Sequence, residues 1–368
     1  MSDATDVFIV GGGPAGLAAA IAARKRGFQV ILADADTPPI DKACGEGLLP
    51  DSVDALARLG VVLRPSEGCE FRGIRFLDHE AAPQAYFPAG SGIGLRRKTL
   101  HEKLVNQAAQ CGVSLLWRSR VTGLNSDAVL LDGSRVRARW IVGADGANSL
   151  VRRWSGLDCP VYYRRRFAYR RHYRVRPWTD CVEVYWGKEL QAYVTPVGTM
   201  EVCIAVVSRD PRLRLEEALR VFPTLAARLR SSGSSSTERG ALTSMLKLPG
   251  VYRGSVALVG DASGCVDAIT GEGLGLAFKQ AGALADALAA NSLKQYEAAH
   301  RRLSRHASVM AKSLLALGAR TALRRRVTRI FERHPRLFAR FLAAHVGAKN
   351  GLETFTTAAS FGWCLLAA

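Results

Sequence analysis

The first apolar run of the chain, residues 7–10, is short and β-branched, which is typical of a parallel strand buried on both faces. The glycine-rich segment GGGPAG follows it directly. Residues 17–26 are rich in alanine and predict a helix. A second apolar run, residues 29–33, predicts another strand that ends at Asp34. The opening pattern is therefore strand, glycine turn, helix, strand and acidic residue.

The rest of the chain predicts a mixture of strands and helices, and finally helices alone. Helices are predicted at residues 51–59, 98–110 and 213–229, and short strands at residues 114–117, 128–131, 140–142 and 256–259. Apolar and polar positions alternate from residue 161 to residue 207, which predicts antiparallel strands that form the floor of a second lobe. From Gly273 onward nearly every segment is predicted to be helical.

Length and composition suit two interleaved lobes around a shared cofactor, because 368 residues exceed a minimal domain. Hydrophobic residues make up 48% and charged residues 23% of the chain, which is ordinary for a soluble protein with a large core. No apolar run reaches the ~20 residues needed to cross a bilayer, and the first residues lack the features of a signal peptide. We therefore expect a cytoplasmic protein.

The net charge of +19 attracts polyanions such as nucleic acid, anionic lipid or a phosphorylated cofactor. Arginines in residues 164–176 and 320–340 supply much of this charge. No nucleic-acid-binding signature accompanies them, so we expect no specific nucleic-acid partner. The alternative is an arginine-rich surface without a partner. The sequence indicates no obligate protein partner.

Basic amphipathic helices are predicted near the C-terminus, because apolar residues recur at helical spacing among the arginines of residues 323–342. Such helices can lie on anionic membranes, which would make the protein peripheral to the membrane. We favour the alternative, in which they pack against the body of the protein.

The cysteines do not form a recognisable metal or disulfide pattern. None is part of a CxxC pair, and no group of histidines and cysteines has the spacing of a zinc site. The eight positions are Cys44, Cys69, Cys111, Cys159, Cys181, Cys203, Cys265 and Cys364. We predict no metal site and interpret most of these residues as small buried side chains.

The glycine segment matches the GxGxxG pattern of dinucleotide-binding folds. Gly11 permits the tight turn, Gly13 lets the backbone approach a pyrophosphate, and Gly16 lets helix and strand pack closely. Pro14 and Ala15 open the helix, whose N-terminus offers free N–H groups to the phosphates. Asp34 lies where an acid can accept hydrogen bonds from the adenosine ribose. This unit alone does not distinguish NAD from FAD.

Two later segments make the assignment more specific. Residues 141–152 read IVGADGANSLVR, and residues 256–276 read VALVGDASGCVDAITGEGLGL. With the N-terminal glycines, they resemble the flavoprotein family of para-hydroxybenzoate hydroxylase-type monooxygenases and geranylgeranyl reductases, over residues 6–290. The resemblance implies an α/β fold, in which a Rossmann-like FAD-binding domain of the glutathione reductase type is interleaved with a smaller antiparallel-sheet substrate domain.

The resemblance also implies domain boundaries. The FAD-binding domain would comprise residues 1–75, 95–160 and 250–290, the substrate domain residues 76–94 and 161–249, and a helical C-terminal region residues 291–368.

The late segment would hold the flavin. By resemblance, Gly260 and Asp261 would meet the ribityl chain of FAD. Gly271, Gly273 and Leu274 would bring backbone N–H groups to the pyrimidine edge, where they would stabilise negative charge on the reduced ring. The alternative for the GDAS sequence is a turn with a helix cap.

Other cofactor contacts are implied elsewhere. Arg97 would reach the phosphate or ribityl region, with Arg96 as a competing candidate. Val121 would meet the adenine or serve as a buried strand residue. Asp145 would serve both FAD and NAD(P)H, with Arg152 as a structural partner.

The segment CGEGL, residues 44–48, resembles a glycine segment of the geranylgeranyl reductases. Gly45 and Gly47 would let this loop pass close to the flavin. Cys44 would be either a reactive thiol or, as we favour, a small wall residue. Glu46 would be either an acid near the substrate or a solvated loop residue.

The segment AYVTPVG, residues 192–198, resembles the strand over the substrate side of the flavin, with Tyr193 and Pro196 lining the pocket. Tyr185 and Trp186 would either do the same or pack within the sheet.

These features predict an FAD-dependent oxidoreductase that acts on a hydrophobic aromatic or polyketide-like small molecule, with NAD(P)H as reductant. The sequence differs from many hydroxylases at Gly264, where they have histidine, and has no proline near Ile269. We favour a monooxygenase over a reductase of isoprenoid-type or other C=C bonds. A third alternative is a non-enzymatic flavin-holding or polyanion-binding protein.

Overall fold

The computed structural model describes residues 4–347, except residues 126 and 160. Within these residues the chain forms eighteen strands and ten α-helices. The strands are β1 (Ala4–Val10), β2 (Val30–Asp34), β3 (Gly47–Leu48), β4 (Cys69–Phe71), β5 (Gly73–Leu77), β6 (Gln84–Tyr86), β7 (Gly92–Gly94), β8 (Ser114–Trp117), β9 (Val121–Leu124), β10 (Ala128–Leu131), β11 (Ser134–Gly143), β12 (Val161–Tyr173), β13 (Cys181–Trp186), β14 (Leu190–Gly198), β15 (Glu201–Ser208), β16 (Arg239–Lys247), β17 (Tyr252–Arg253) and β18 (Val256–Leu258). The helices are α1 (Pro14–Lys25), α2 (Pro50–Arg58), α3 (Arg97–Gln110), α4 (Leu150–Trp154), α5 (Leu215–Arg220), α6 (Pro223–Leu229), α7 (Gly273–Ala289), α8 (Leu293–Ala319), α9 (Thr321–Arg333) and α10 (Pro335–His345).

An eight-stranded sheet contains the N-terminal unit. Its main path is β17-β18-β11-β1-β2-β8, and the strands from β18 to β8 run parallel. β10 pairs with β11, and β9 pairs with β10. Val7, Phe8 and Ile9 of β1 are fully buried, as expected for a parallel strand covered on both faces. The predicted strand–turn–helix–strand unit and the α/β fold class are therefore confirmed.

The close approach of α1 to β1 depends on Gly16. A Cβ atom at Gly16 would lie 1.9 Å from the backbone oxygen of Gly11, which no side chain can accommodate. The alanine-rich face of α1 packs against α7 in the same hydrophobic core. The two helices whose N-termini follow the glycine segments thus lie side by side.

A seven-stranded sheet, β16-β12-β15-β14-β13-β5-β6, forms the second lobe. Its strands pair antiparallel except β13 with β5, so the antiparallel strands predicted within residues 161–207 are present. β5 begins at Gly73, and the domain boundary expected at residue 75 therefore falls inside a strand of this sheet. The single helix predicted over residues 213–229 is wrong: it is two helices, because Pro223 lacks the N–H needed to continue α5 and instead begins α6.

A small sheet, β3-β7-β4, connects the two lobes next to the CGEGL loop. β7 lies so close to β14 that a Cβ at Gly94 would be 1.7 Å from the Pro196 carbonyl oxygen. This contact holds the segment that follows Glu46 against the second lobe, because β3 pairs with β7 at Gly94.

The C-terminal helices pack against the body of the protein. Apolar residues of α9 and α10, including Val327, Phe331 and Phe338, are buried in one core with Phe76 and Trp186 of the second sheet. Among the described residues, no helix is both long and apolar enough to span a membrane. Membrane contact by the basic faces of these helices stays a prediction, and residues 348–368 of the predicted helical region lie outside the described residues.

Some of the arginines expected on the surface are instead buried in ion pairs. Arg166 pairs with Asp267, Arg170 with Asp41, and Arg324 with Asp78. The side chains of these three arginines are each 3% exposed, so they join elements of the fold and are not available to a polyanion.

Candidate active site

A cavity of about 650 Å³ lies between the two large sheets and is lined by residues from both. Its volume is within the range of small-molecule and cofactor sites. Most of the residues singled out from the sequence lie on its wall. These are Gly11, Gly13, Pro14, Ala15, Asp34, Cys44, Gly45, Glu46, Gly47, Arg97, Val121, Asp145, Tyr193, Gly260, Asp261, Gly271, Gly273 and Leu274.

Gly16 and Pro196 are not on the wall. Gly16 lies beneath the turn, where it permits the packing of α1 described above. The prediction that Pro196 lines the pocket is wrong. Successive side chains of a strand point to opposite faces, so Tyr193 and Thr195 of β14 face the cavity and Pro196 does not.

The nucleotide end of the cavity is formed by β1, α1 and the end of β2. Gly11 has a φ of +110°, which favours glycine, and no side chain caps the N-terminus of α1. A Cβ at Gly13 would meet no atom within 4 Å, so the space beside it is open. The Asp34 carboxylate accepts hydrogen bonds from the N–H groups of Gly12 and Asp36 at 2.5 and 2.8 Å. These groups fit the pyrophosphate and ribose of FAD.

Arg97, and not Arg96, is directed to the cavity. Arg97 is the first residue of α3 and is 9% exposed, and its buried Nε has no hydrogen-bond partner among the described residues. Arg96 pairs instead with Glu201 and donates to Ser235. An unpaired guanidinium N–H at the cavity wall is what an anionic cofactor would satisfy.

Asp145 lies on the wall, but its carboxylate already has partners. It accepts hydrogen bonds from the Ser149 hydroxyl and from the N–H groups of Leu150 and Val151, and so caps α4. Arg152 pairs with Asp158 and donates to backbone oxygens, which is the structural role expected for it. The observed contacts of Asp145 are therefore those of a helix cap.

The two later glycine segments form the part of the cavity where the flavin is expected. Gly260 and Gly271 have φ values of +62° and +68°, which favour glycine, and no side chain caps α7. Asp261 lies 3.2 Å from Lys42 and is partly exposed. Val121 is on β9, where it also packs against the core, so both of its expected roles are compatible with its position.

Glu46 is at the centre of a buried polar cluster. Its Oε1 accepts a hydrogen bond from the Arg97 N–H at 3.0 Å, and its Oε2 lies 2.6 Å from His172 Nε2. Arg170 Nε is 3.6 Å from Oε1, and His172 Nδ1 is 2.8 Å from the Ser236 hydroxyl. Glu46 is 3% exposed, so the alternative of a solvated loop residue is wrong.

The backbone of Glu46 is held in an unusual conformation. Its φ is +59°, a region that favours glycine and costs other residues about 1–3 kcal/mol. Its backbone oxygen accepts a hydrogen bond from Leu95, which helps to maintain this conformation. The strain is consistent with a carboxylate that must point into the site.

Glu46, His172 and Cys203 have potential ligand atoms within 4.8 Å of one another. Glu46 and His172 already contact each other directly, and Arg170 adds a positive charge beside them. Burial, and secondarily Glu46, raises the pKa of the Cys203 thiol well above its usual value, which disfavours the thiolate that a metal would require. The contacts are therefore those of a hydrogen-bonded cluster.

Sequence reasoning missed Arg170, His172 and Cys203. Arg170 and His172 are two positions apart on β12, and a period of two places both on one face of a strand. The spacing of Arg170 and His172 could therefore have been recognised from the sequence. The position of Cys203 could not, because it lies opposite His172 only through the pairing of β12 with β15, which joins residues far apart in the sequence. Cys44 lies on the cavity wall, where its Sγ accepts a hydrogen bond from the Glu46 N–H with an N···S distance of 3.4 Å.

The end of the cavity opposite the nucleotide site is apolar. Phe76, Val184, Trp186, Phe338 and Leu342 line it, and the ring centroids of Phe76 and Phe338 are 4.9 Å apart. Tyr185 faces the other side of β13 and donates to Glu183, so only Trp186 of the two expected aromatic residues lines the pocket.

Comparisons with known proteins agree with this arrangement. Residues 4–168 match the family model described as an FAD binding domain. A menaquinone reductase of Mycolicibacterium smegmatis is 31% identical over 81% of this chain and 80% of that protein. A rifampicin monooxygenase of Streptomyces venezuelae is 30% identical over 42% of this chain and 34% of that protein. A geranylgeranyl bacteriochlorophyll reductase-like protein of Thermoplasma acidophilum shares the fold, with a TM-score of 0.76, 21% identity and coverage of 89% and 91% of the two chains.

Proposed function

Because this chain belongs to the family of FAD-dependent oxidoreductases that includes the menaquinone reductase and the rifampicin monooxygenase, we propose that it reduces a carbon–carbon double bond in a hydrophobic, isoprenoid-type substrate. NAD(P)H is the proposed source of electrons. The sequence alone favours a monooxygenase, but the apolar end of the cavity and the extent of the similarities favour a reductase.

The observation that carries this proposal is the apolar end of the cavity. Phe76, Trp186, Phe338 and Leu342 come from both the sheet and the C-terminal helices and provide a wall that matches an isoprenoid chain. Burial of apolar surface contributes roughly 25 cal/mol per Å², so a chain of several isoprene units gains its affinity from such a wall.

The extent of the similarities points the same way. The menaquinone reductase aligns with 81% of this chain, whereas the rifampicin monooxygenase aligns with 42%. Menaquinone carries an isoprenoid side chain, which suits the apolar wall of the cavity. A relative that aligns over most of the chain is therefore the better guide to the substrate.

Reduction of a C=C bond requires a hydride on one carbon and a proton on the other. When bound, FAD supplies the hydride chemistry. Arg97 and the N-terminus of α1 would bind the phosphates, and the free N–H groups at the start of α7 would stabilise negative charge at the pyrimidine edge. The Glu46–His172 pair would fix the loop of residues 44–47 against that ring.

The test is a product analysis. The purified holoenzyme is reduced with NADPH without oxygen and mixed with menaquinone bearing a short isoprenoid chain in detergent micelles. After air oxidation of the quinone ring, mass spectrometry should find a side chain that has gained two hydrogen atoms. A substrate that is unchanged, with NADPH consumed only by oxygen, would contradict the proposal.

A monooxygenase remains the second candidate, because the similarity to the rifampicin monooxygenase covers part of this chain. This candidate predicts a product that contains one added oxygen atom and forms only when oxygen is present. The same mass spectrum therefore separates the two functions. A protein that holds FAD but converts no substrate would give neither product.

A further inference from the structure

A second, smaller cavity of about 150 Å³ lies on the other side of the loop that carries Gly271 and Gly273. Its polar lining residues are Asp51, Glu272, Lys279, Arg302 and His306. Arg302 and His306 are exposed, so this cavity reaches the protein surface. Glu272 is 9% exposed and lines the small cavity, whereas its neighbours in the loop line the large one. Its carboxylate is therefore turned away from the cofactor site.

His345 connects Glu272 with the large cavity. It is the last residue of α10, is 5% exposed, and lines the apolar end beside Phe338 and Leu342. Its Nε2 is 3.1 Å from the backbone oxygen of Thr270, and its Nδ1 is 3.8 Å from Glu272 Oε2. A backbone oxygen only accepts, so Nε2 carries a proton and, in the neutral ring, Nδ1 is an acceptor that faces Glu272.

Nδ1 of His345 and Oε2 of Glu272 are both buried and have no hydrogen-bond partner among the described residues. Two such atoms 3.8 Å apart would gain a hydrogen bond from a small movement of either side chain. Glu272 and His345 are thus placed to share a proton.

Burial of the pair favours a proton on Glu272. Burial, above all, raises the pKa of Glu272 to about 7, and burial lowers the pKa of His345. The other groups that face Glu272 are Asp51 from α2, Lys279 from α7, and Arg302 and His306 from α8. Asp51 pairs with Lys279, so their charges largely offset each other.

We propose that Glu272 and His345 deliver a proton from the small surface cavity to the substrate end of the large cavity. This inference rests on the proposed reduction, which consumes one proton for each hydride. Glu272 gives its proton to Nδ1 of His345, and the resulting imidazolium releases its Nε2 proton, held on the Thr270 oxygen, to the substrate carbon that does not receive the hydride. Solvent then reprotonates Glu272, and after product release the ring loses its Nδ1 proton and takes up one at Nε2, which restores the starting tautomer. His345 is then the proton donor, and Glu272 is a positioning residue that acts through it.

The experiment follows single turnovers of the NADPH-reduced holoenzyme with the short-chain menaquinone, across pH, for the wild type, Glu272→Gln and His345→Gln. The wild-type rate should fall as pH rises through about 7, where Glu272 loses its proton. In Glu272→Gln the rate should be roughly 10²-fold lower, the lower end of what a positioned proton donor contributes, and the inflection near pH 7 should be lost. Glu80→Gln, at a side chain that is 93% exposed, is the matched control and should behave as wild type.

A second readout does not depend on the substrate. The infrared C=O stretch of a protonated carboxylic acid should disappear as pH rises through about 7 in the wild type, and this change should be absent in Glu272→Gln. If the wild type shows this band but does not reduce the menaquinone, the proposed function is wrong, and the assignment of a protonated Glu272 below about pH 7 still holds. Reduction by Glu272→Gln and His345→Gln at the wild-type rate, with the same pH profile, would overturn the proton route. If Glu272→Gln does not bind FAD, His345→Gln alone decides, by the same two criteria of rate and pH profile.

Discussion

Substitutions at two glycines of the GxGxxG motif should have different effects, one on cofactor binding and the other on the stability of the fold. A Cβ at Gly13 meets no protein atom within 4 Å, and the residue has a φ of −68°, which any amino acid adopts. A Cβ at Gly16 lies 1.9 Å from the Gly11 carbonyl oxygen. Gly13→Val should therefore leave the fold intact and obstruct the cofactor, whereas Gly16→Val should disrupt the packing of α1 on β1.

The magnitudes follow from what each substitution removes. In Gly13→Val the side chain occupies the open space beside the N-terminus of α1. We take the loss as about two hydrogen bonds to a charged phosphate. Each is worth roughly 1.5–3 kcal/mol, so the affinity for FAD should fall by about 10²–10⁴-fold. In Gly16→Val the backbone must move, and overpacking costs about 1–3 kcal/mol or more of unfolding free energy.

The assay measures both quantities on the same samples. FAD affinity is obtained by flavin fluorescence titration of the apoprotein, and stability by urea unfolding of the apoprotein followed by circular dichroism. Gly13→Val should lose affinity at unchanged stability, and Gly16→Val should lose stability. A Gly13→Val protein that binds FAD as the wild type does would refute the assignment of this turn to the pyrophosphate.

Three further predictions concern stability and pH, each read from urea unfolding. Asp78→Ala leaves the Arg324 guanidinium buried without its carboxylate, so the free energy of unfolding should fall by about 3–5 kcal/mol. The double variant Asp78→Leu with Arg324→Met should recover most of this loss. A loss below about 1 kcal/mol in Asp78→Ala would contradict the pairing. Phe338→Ala should lower the free energy of unfolding by about 3–5 kcal/mol, because the Phe338 ring is 1% exposed and stacks on Phe331. Phe338→Leu should lower it less, and equal losses in the two variants would argue against a packed ring. Because the pKa of Glu272 is raised to about 7, the folded state holds this proton more tightly than the unfolded state does. The free energy of unfolding of the wild type, relative to that of Glu272→Gln, should therefore fall by up to about 3 kcal/mol between about pH 4.5 and about pH 7. Parallel pH curves for the two proteins would show that the carboxyl is not buried.

The N-terminal unit could be predicted from the sequence because its determinants are local. A β-branched run, three glycines at fixed spacing and an alanine-rich segment each dictate the conformation of their own residues. Gly11 and Gly16 meet in space because only five positions separate them. The single helix predicted over residues 213–229 was wrong although its determinant is also local, because Pro223 cannot continue α5 and instead begins α6.

The polar cluster around Glu46 could not be predicted in the same way. His172 reaches Glu46 across 126 positions, and the contact depends on the register of β12 in the second sheet and on the position of β3 and β7 between the sheets. A one-residue shift in that register would turn His172 to the other face. Nothing in the residues near Glu46 specifies this register, so the sequence left a solvated carboxylate as an equal alternative.

The two ends of the large cavity are formed by different parts of the chain, so cofactor binding and substrate choice can vary independently among relatives. The motif residues, from Gly11 to Leu274, line the end of the cavity that we expect to hold FAD. The apolar end depends on Phe338, Phe341, Leu342 and His345 of α10, which lies outside the sequence motifs. Proteins that share the motifs therefore share the cofactor chemistry, whereas substrate choice and the proposed proton route depend on a helix that the motifs do not constrain. Exchange of α10 between relatives should change the substrate and leave FAD binding unchanged.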